Sequence, residues 1–490
     1  MTGATLPMLA VGVPLAGAAL IGLAGSRPNL RETVTLSTAV LLFALVLSIL
    51  PGVLDGERPA ATLLHVAPAL TIAFTVEPLG MLFAMIASGL WIVNSIYSIG
   101  YMRGNDEPRQ TAFYICFAVA LASTMGIAFA GNLFTLFAFY EVLTLSTYPL
   151  VTHRGNAEAI KAGRLYLVLL LGSSFLLFLP AIVWTGFLAG TLDFKPGGIL
   201  DGKADPGVVG ILLALYVFGI GKAAVMPMHP WLPAAMVAPT PVSALLHAVA
   251  VVKAGVFSIV KVVIYVFGLD LLAAGGAQWL PWVAGATVLT ASLVALRQDD
   301  LKRRLAFSTV SQLSYIVLAV SVLAPISAIG AALHIAAHAF GKITLFFAAG
   351  SIYTAAHLTK VSQLPGIGHR MPWTMGAFAV GTLSMIGVPP TAGFIGKWYI
   401  LVGAMSVGEW VAVAVIVLST VLNAAYFLPI VFSAFFRSAP AGHHGDHGEH
   451  ASGEAPWPIV LALTVTAAAT IAMFAFPGLP LALGQMMTAH

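Results

Sequence analysis

Residues 387–393 read Gly387-Val388-Pro389-Pro390-Thr391-Ala392-Gly393 and interrupt an otherwise apolar run from 374 to 404. A run of that length crosses a bilayer as a helix. Adjacent prolines remove two backbone donors and clash with the preceding turn, so this span is predicted to break. A second interruption, Met226-Pro227-Met228-His229-Pro230-Trp231-Leu232-Pro233, closes the run at 208–228. Irregular backbone at membrane depth is tolerated only when it is buried in protein or lines a wet cavity. A lysine stands close to each interruption, Lys222 and Lys397. Paired breaks in two halves are the pattern of transporters built from inverted repeats, whose ion sites lie beside the breaks.

Outward from these two segments the same character continues. Of 490 residues, 59% are apolar and only 8% charged, against roughly 25% charged in soluble domains. Fourteen spans are predicted, at 4–25, 33–54, 76–100, 111–131, 132–152, 162–190, 208–228, 241–268, 276–296, 305–325, 328–356, 374–404, 410–436 and 457–478. The first reads as a retained helix, because no Lys or Arg precedes Arg27 to form a signal-peptide n-region. The fold class is an all-α integral membrane protein. Spans 4–8 and 9–13 form two five-helix repeats, inverted because five is odd, with broken helices 7 and 12. The expected segments are three N-terminal helices (1–110), the repeats (111–268 and 276–436), a His-rich loop (437–456) and a C-terminal helix (457–490).

The 22 Lys and Arg residues divide unevenly. Loops after odd-numbered spans hold fourteen, among them Arg27, Arg103, Arg154, Lys302 and Arg437, whereas loops after even-numbered spans hold only Arg58, Lys195 and Lys203. The positive-inside rule makes the odd loops cytoplasmic and puts both termini on the outer face of a bacterial inner membrane.

The remaining five cations, Lys222, Lys253, Lys261, Lys342 and Lys397, fall inside predicted spans, as do His247, His334 and His338. Each charge at mid-membrane costs about 2.5–3.5 kcal/mol on insertion scales, so a set of them points to function. His334, His338 and Lys342 are spaced four apart and line one helix face over roughly 12 Å. Histidine both accepts and donates a proton near neutral pH, which suits a relay. Lys253 lies near the centre of its span, where snorkelling is hardest and desolvation makes a lysine a usable proton carrier. Lys261, nearer the end, fits snorkelling equally well. Glu141 is the one acidic residue read near the middle of a span and hence the expected counter-charge. Structural readings compete throughout: hydrogen bonds between helices for the histidines, a static ion pair for Glu141, simple kinks for the prolines.

Other signals are weaker. Gly219-Ile220-Gly221-Lys222-Ala223-Ala224 mimics a dinucleotide-binding pattern, without the strand–helix context it needs. Cys116 alone forms no internal disulfide and holds no iron–sulfur cluster. His443-His444-Gly445-Asp446-His447-Gly448-Glu449-His450 contains groups a transition metal accepts, yet reads better as a solvated loop. No cofactor and no nucleic-acid partner is expected.

The motifs resemble those of the antiporter-like subunits of respiratory complex I and its relatives. Gly219-Ile220-Gly221-Lys222 through Pro227-Met228-His229-Pro230-Trp231-Leu232-Pro233 is similar to their seventh-helix signature. Pro239-Thr240-Pro241-Val242-Ser243-Ala244-Leu245-Leu246-His247, continuing to Lys253-Ala254-Gly255-Val256, resembles the eighth. Asp300-Leu301-Lys302-Arg303-Arg304-Leu305-Ala306-Phe307-Ser308-Thr309-Val310-Ser311-Gln312 resembles the loop before the tenth helix, and Gly393-Phe394-Ile395-Gly396-Lys397 the twelfth-helix form ending in lysine. The likeness spans about residues 75–405 and is nearest to the D-type component of Mrp-type multisubunit sodium/proton antiporters. It implies a Glu141–Lys222 pair, a middle Lys253, a terminal Lys397, and His247, His334 and His338 bridging them. It also implies partner membrane subunits, and protons exchanged for a monovalent cation such as Na⁺. Two other settings stay open: the proton-pumping module of a NADH-quinone oxidoreductase-like or hydrogenase-linked complex, with redox chemistry on other chains, and the membrane partner of an inorganic carbon uptake complex.

Overall fold

The computed structural model describes residues 5–67, 70–438 and 453–489. The helices are α1 (Leu6–Leu23), α2 (Pro28–Leu54), α3 (Pro78–Gly104), α4 (Gln110–Ala128), α5 (Leu133–Val151), α6 (Ala157–Ala189), α7 (Pro206–Gly219), α8 (Thr240–Phe267), α9 (Leu280–Arg297), α10 (Leu301–Ser321), α11 (Pro325–Ala356), α12 (Pro372–Ile386), α13 (Ala392–Ser406), α14 (Trp410–Phe436), α15 (Trp457–Ala475) and α16 (Gly478–Thr488). Among the described residues, 12 helices are long and apolar enough to cross a membrane. The shorter α7 and the α12/α13 pair account for the two spans predicted to be broken, which restores fourteen. The chain is a multi-pass membrane protein, all-α in its spanning part.

One element departs from the all-α expectation. Between α2 and α3 lies an antiparallel hairpin, β1 (Ala60–Ala67) and β2 (Leu70–Thr75). Its Thr, Ile, Val and Leu content suits a pleated ribbon, and it docks where the Ala73 amide donates to Thr135 Oγ1 at 2.9 Å.

Helix starts follow capping chemistry. Asn132 accepts from the Thr135 amide at 2.7 Å, Asn156 from Ala159 at 2.8 Å and Asp300 from Arg303 at 2.8 Å, each satisfying a donor that the first turn cannot pair. Glu454 does the same from outside, taking the Trp373 amide at 2.7 Å at the start of α12. The perimeter exposes Leu20, Val40, Val168, Phe187 and Val421. A continuous apolar exterior of this kind is a lipid face.

The centre is built from α8 and α11, which pack on one another. Every residue from Thr240 to Phe267 is buried. That depth requires close backbone approach. At Gly255 of α8, an added Cβ would meet the Ala223 nitrogen at 2.2 Å and the Lys222 carbonyl carbon at 2.3 Å, so α8 lies directly on the chain just beyond α7. At Gly393 an added Cβ would meet the Ser384 oxygen at 1.7 Å, which presses the start of α13 onto the end of α12.

Gly255→Ala therefore forces an overpacked contact with no flexible side chain to yield, costing about 1–3 kcal/mol or more. Gly12→Ala, where nothing lies within 4 Å, should be neutral or gain roughly 0.5–1 kcal/mol of helix propensity. Thermal unfolding midpoints of the purified protein should fall for the first and hold or rise for the second.

Candidate proton-transfer axis

On α11, His334, His338 and Lys342 are fully buried on one face, as their spacing predicts, and each meets a different partner. His334 Nε2 lies 3.0 Å from Gln312 Oε1, His338 Nδ1 lies 2.6 Å from Lys253 Nζ of α8, and Lys342 Nζ donates to Ser308 Oγ at 2.8 Å. The Lys253–His338 contact joins two titratable groups directly. Either can hold the proton, the roles exchanging with the imidazole tautomer.

The break between α12 and α13 shows why lysine belongs there. In a continuous helix the Met385 and Ile386 carbonyls would accept from residues 389 and 390, but both are prolines and have no N–H. Lys397 Nζ takes both carbonyls, at 3.0 and 2.9 Å. Its stem crosses Gly387, whose φ of 86° is left-handed and where a Cβ would meet Lys397 Cδ at 2.7 Å. Gln312 Nε2 reaches the Met385 carbonyl at 3.3 Å and Asn423 Nδ2 reaches it at 3.4 Å. Tyr426 donates to Asn423 Oδ1, and its hydroxyl also lies within hydrogen-bond distance of Ser308 Oγ at 3.0 Å. Two polar chains thus run from α11 to Lys397, through Gln312 and through Ser308–Tyr426–Asn423. Sequence reasoning missed all four of these residues. Polar side chains recurring on one face of α10 (Ser308, Ser311, Gln312, Tyr315) are the signal that could have found two of them.

The first-half break also carries a buried lysine, but its partners lie inside an intact helix, α5. α7 stops at Gly219, and Ala224 takes φ 55°. Lys222, fully buried, donates to the Tyr140 carbonyl at 2.8 Å and to the Thr144 hydroxyl, with its ammonium 3.1 Å from the Tyr140 ring centroid. The expected Glu141–Lys222 ion pair is not closed: neither Glu141 oxygen makes a hydrogen bond. His247 is also buried, with both ring nitrogens unpartnered and its ring 4.6 Å from that of Phe346. Ser243, one turn before it, His334 Nδ1 and His338 Nε2 are likewise without hydrogen-bond partners. Buried polar atoms in this state are the places that ordered water fills.

Two expectations need correction. Lys261 does not snorkel: it is fully buried and sits 2.9 Å from Glu77 Oε2. Glu141 is therefore not the only buried counter-charge. Glu77 falls at the edge of the predicted span 76–100, away from its middle; it immediately precedes α3, and the fold buries that end. The loop of histidines at 443–450 lies outside the described residues. Among the described residues no cluster of three or more His, Cys, Asp or Glu is arranged to hold a metal.

A cavity of about 630 Å³ opens on the side carrying the basic loops, lined by Tyr101, Arg154, Thr240, Lys302, Arg303 and Tyr353 among others. At its inner end Thr240 begins α8, seven residues before His247, with Ser243 between. Near its mouth, burial raises the Glu107 carboxyl above its usual range against the pull of Arg154 and Lys302. Burial, aided by Arg109 and Arg154, lowers His153.

Residues 130–423 match the family described as NADH:quinone oxidoreductase/Mrp antiporter, TM. The chain belongs to this family. It is 33% identical over 442 residues to NADH-quinone oxidoreductase subunit N of Desulforudis audaxviator, covering 89% of this chain and 88% of that one. It is 31% identical to hydrogenase-4 component B of Escherichia coli over 81% of its own length, spanning 61% of that longer protein. Its fold superimposes on a chain of the Mrp complex from Dietzia sp. DQ12-45-1b with a TM-score of 0.87, covering 100% of this chain and 97% of that one at 23% identity. It is an antiporter-like membrane subunit of the kind found in Mrp and complex I-like complexes.

Gln312 tests the geometry. Gln312→Met removes the link between His334 and the Met385 carbonyl while keeping side-chain length. Proton flux per assembled complex should fall roughly tenfold or more, the equivalent of the ~1–3 kcal/mol that a lost buried hydrogen bond costs. Unchanged flux would remove Gln312 from the axis.

Proposed function

We propose that this chain carries protons across a bacterial inner membrane along the buried axis, as the D-type member of a multisubunit monovalent cation/proton antiporter of the Mrp kind. The observation that supports it most is the run of buried titratable groups from His247 through Lys253–His338 and His334 to Lys397, with Lys342 alongside. These groups share one buried interior, where like charges repel strongly. A proton arriving at one end therefore favours release at the other.

In this reading the basic loops face the cytoplasm, and protons load through the cavity by Thr240 and Ser243 to His247. Lys397 is the releasing group, since its carbonyl partners hold an ammonium without fixing its proton. Glu141 and Lys222 act as a switch, and the separation seen here is its open form. Closing the pair would let the carboxylate screen the ammonium, and with the pair apart the charge or proton of Lys222 influences His247 and Lys253. A second reading is supported by the similarity to subunit N of an NADH-quinone oxidoreductase: the same axis driven by electron transfer on partner chains. Identifying the chains that co-purify with the native complex separates the two, since small multispan subunits favour antiport and flavin or iron–sulfur proteins favour the redox-driven form.

Lys253→Ala and Lys397→Ala should each abolish coupled proton flux in vesicles while leaving assembly intact. Lys397→Arg should fail as well, because guanidinium keeps its proton. Near-normal flux in an assembled Lys397→Arg complex excludes proton release from that residue. Orientation has its own test in a Cys116→Ser background. A cysteine at Glu158 should resist an impermeant thiol reagent in intact cells, and one at Lys195 should react. The reverse pattern would invert the topology.

A further inference from the structure

Lys261 is a buried cation that the axis does not use. It lies eight residues beyond Lys253 on α8, about 12 Å along the helix. Phe257 stands between them, its ring 5.0 Å from that of Phe83. Its surroundings are those of a bound ion. The ammonium is 2.9 Å from Glu77 Oε2 and 2.7 Å from the carbonyl oxygen of Ala130, which lies beyond the end of α4. Aromatic faces close the remaining sides: Phe194 at 4.4 Å, Phe257 at 5.7 Å and Tyr265 at 5.8 Å. A carboxylate, a free carbonyl and π-faces are what an alkali metal ion also takes. The Glu77 side chain is 8% exposed, so the site reaches the surface opposite the basic loops. The other charged or titratable groups facing it are Tyr265 on α8 and Arg58 ahead of the hairpin. Arg58 is engaged by the carbonyls of Val53 and Glu57.

We propose that Glu77, Ala130 and Lys261 form a cation–proton exchange site, in which a monovalent metal ion replaces the lysine ammonium. The step balances. Lys261 releases one proton to solvent and becomes a neutral amine, and one metal cation binds the Glu77 carboxylate and Ala130 carbonyl in its place. The net charge of the buried site does not change, so no uncompensated charge is left in a low-dielectric setting. The inference rests on the cation/proton reading above, for which it supplies a place where the metal ion binds.

The test uses the purified native complex in weakly buffered, mildly alkaline detergent solution with a pH-indicating dye. Sodium or potassium chloride is added against choline chloride at equal ionic strength. Wild type should release protons stoichiometric with the chain on adding the metal salt and none with choline. Lys261→Arg keeps the charge and the proton, so it should stay folded and lose the release. Lys253→Ala/Lys397→Ala should retain the release although it no longer transports. Lys261→Met leaves Glu77 without its cation, so its unfolding midpoint should rise with sodium or potassium while that of Lys261→Arg does not. Equal release from wild type and Lys261→Arg, no release from wild type, or loss of release in the Lys253/Lys397 variant would each overturn the site. Release that persists in a complex found not to exchange cations for protons would uphold the site and overturn only the transport reading.

Discussion

A backbone carbonyl is the partner of several buried lysines in this protein, and for all but Lys222 it is one that no helix uses. In a bilayer every such group must be satisfied from within the protein, and every buried ammonium must find acceptors or lose its proton. The two needs meet. Pro389 and Pro390 strip the Met385 and Ile386 carbonyls of their helical donors, and Lys397 takes both. Lys222 takes the Tyr140 carbonyl, Lys261 that of Ala130, and the half-buried Lys302 that of Ala238. Carbonyls stabilise an ammonium without carrying a full negative charge. They hold lysine in the membrane without committing it to the charged form, as a carboxylate would. That distinction separates Lys222 and Lys397, and Lys342 on the Ser308 hydroxyl, from Lys261, which alone among them has a carboxylate within ion-pair distance.

The two five-helix sets follow from the same constraint. Each contains one break at membrane depth, and each break places a left-handed residue, Ala224 or Gly387, near a lysine. Irregular backbone must be covered by protein, and α8 and α11 cover it, the former through Gly255 against the chain at Lys222 and Ala223. Gly396 lies where a Cβ would come 3.0 Å from His334 Cα, so α13 delivers Lys397 against the histidine-bearing face of α11. Small residues at these crossings let the titratable side chains converge.

Backbone carbonyls also set a limit on the axis. A carbonyl accepts a hydrogen bond but does not pass on a proton, so the Met385 oxygen aims Gln312, Asn423 and Lys397 at one point without linking them as a wire. Transfer across it needs water or a side-chain rotation. Nitrogens of His247, His334 and His338 are left without hydrogen-bond partners and so remain able to exchange protons.

Much of this was legible in the sequence because the membrane simplifies the code. Fourteen apolar runs, the uneven loop charges and two proline interruptions follow from hydropathy and backbone chemistry, which act locally. So does the shared face of His334, His338 and Lys342, fixed by helical period alone. Even the partners of Lys397 are implied by prolines a few residues away. Which helix faces which residue is a long-range matter that no local period encodes. Lys253 meets His338 across 85 positions, and Lys222 donates to the residue beside Glu141 and not to its carboxylate. Glu77 and Ser308, Gln312, Asn423 and Tyr426 gained their importance only from what the fold packed against them. A buried charge announces itself in a sequence by its cost, but its partner is chosen by tertiary packing, because hydrogen bonds in the membrane interior are made to whatever oxygen the neighbouring helices bring within reach.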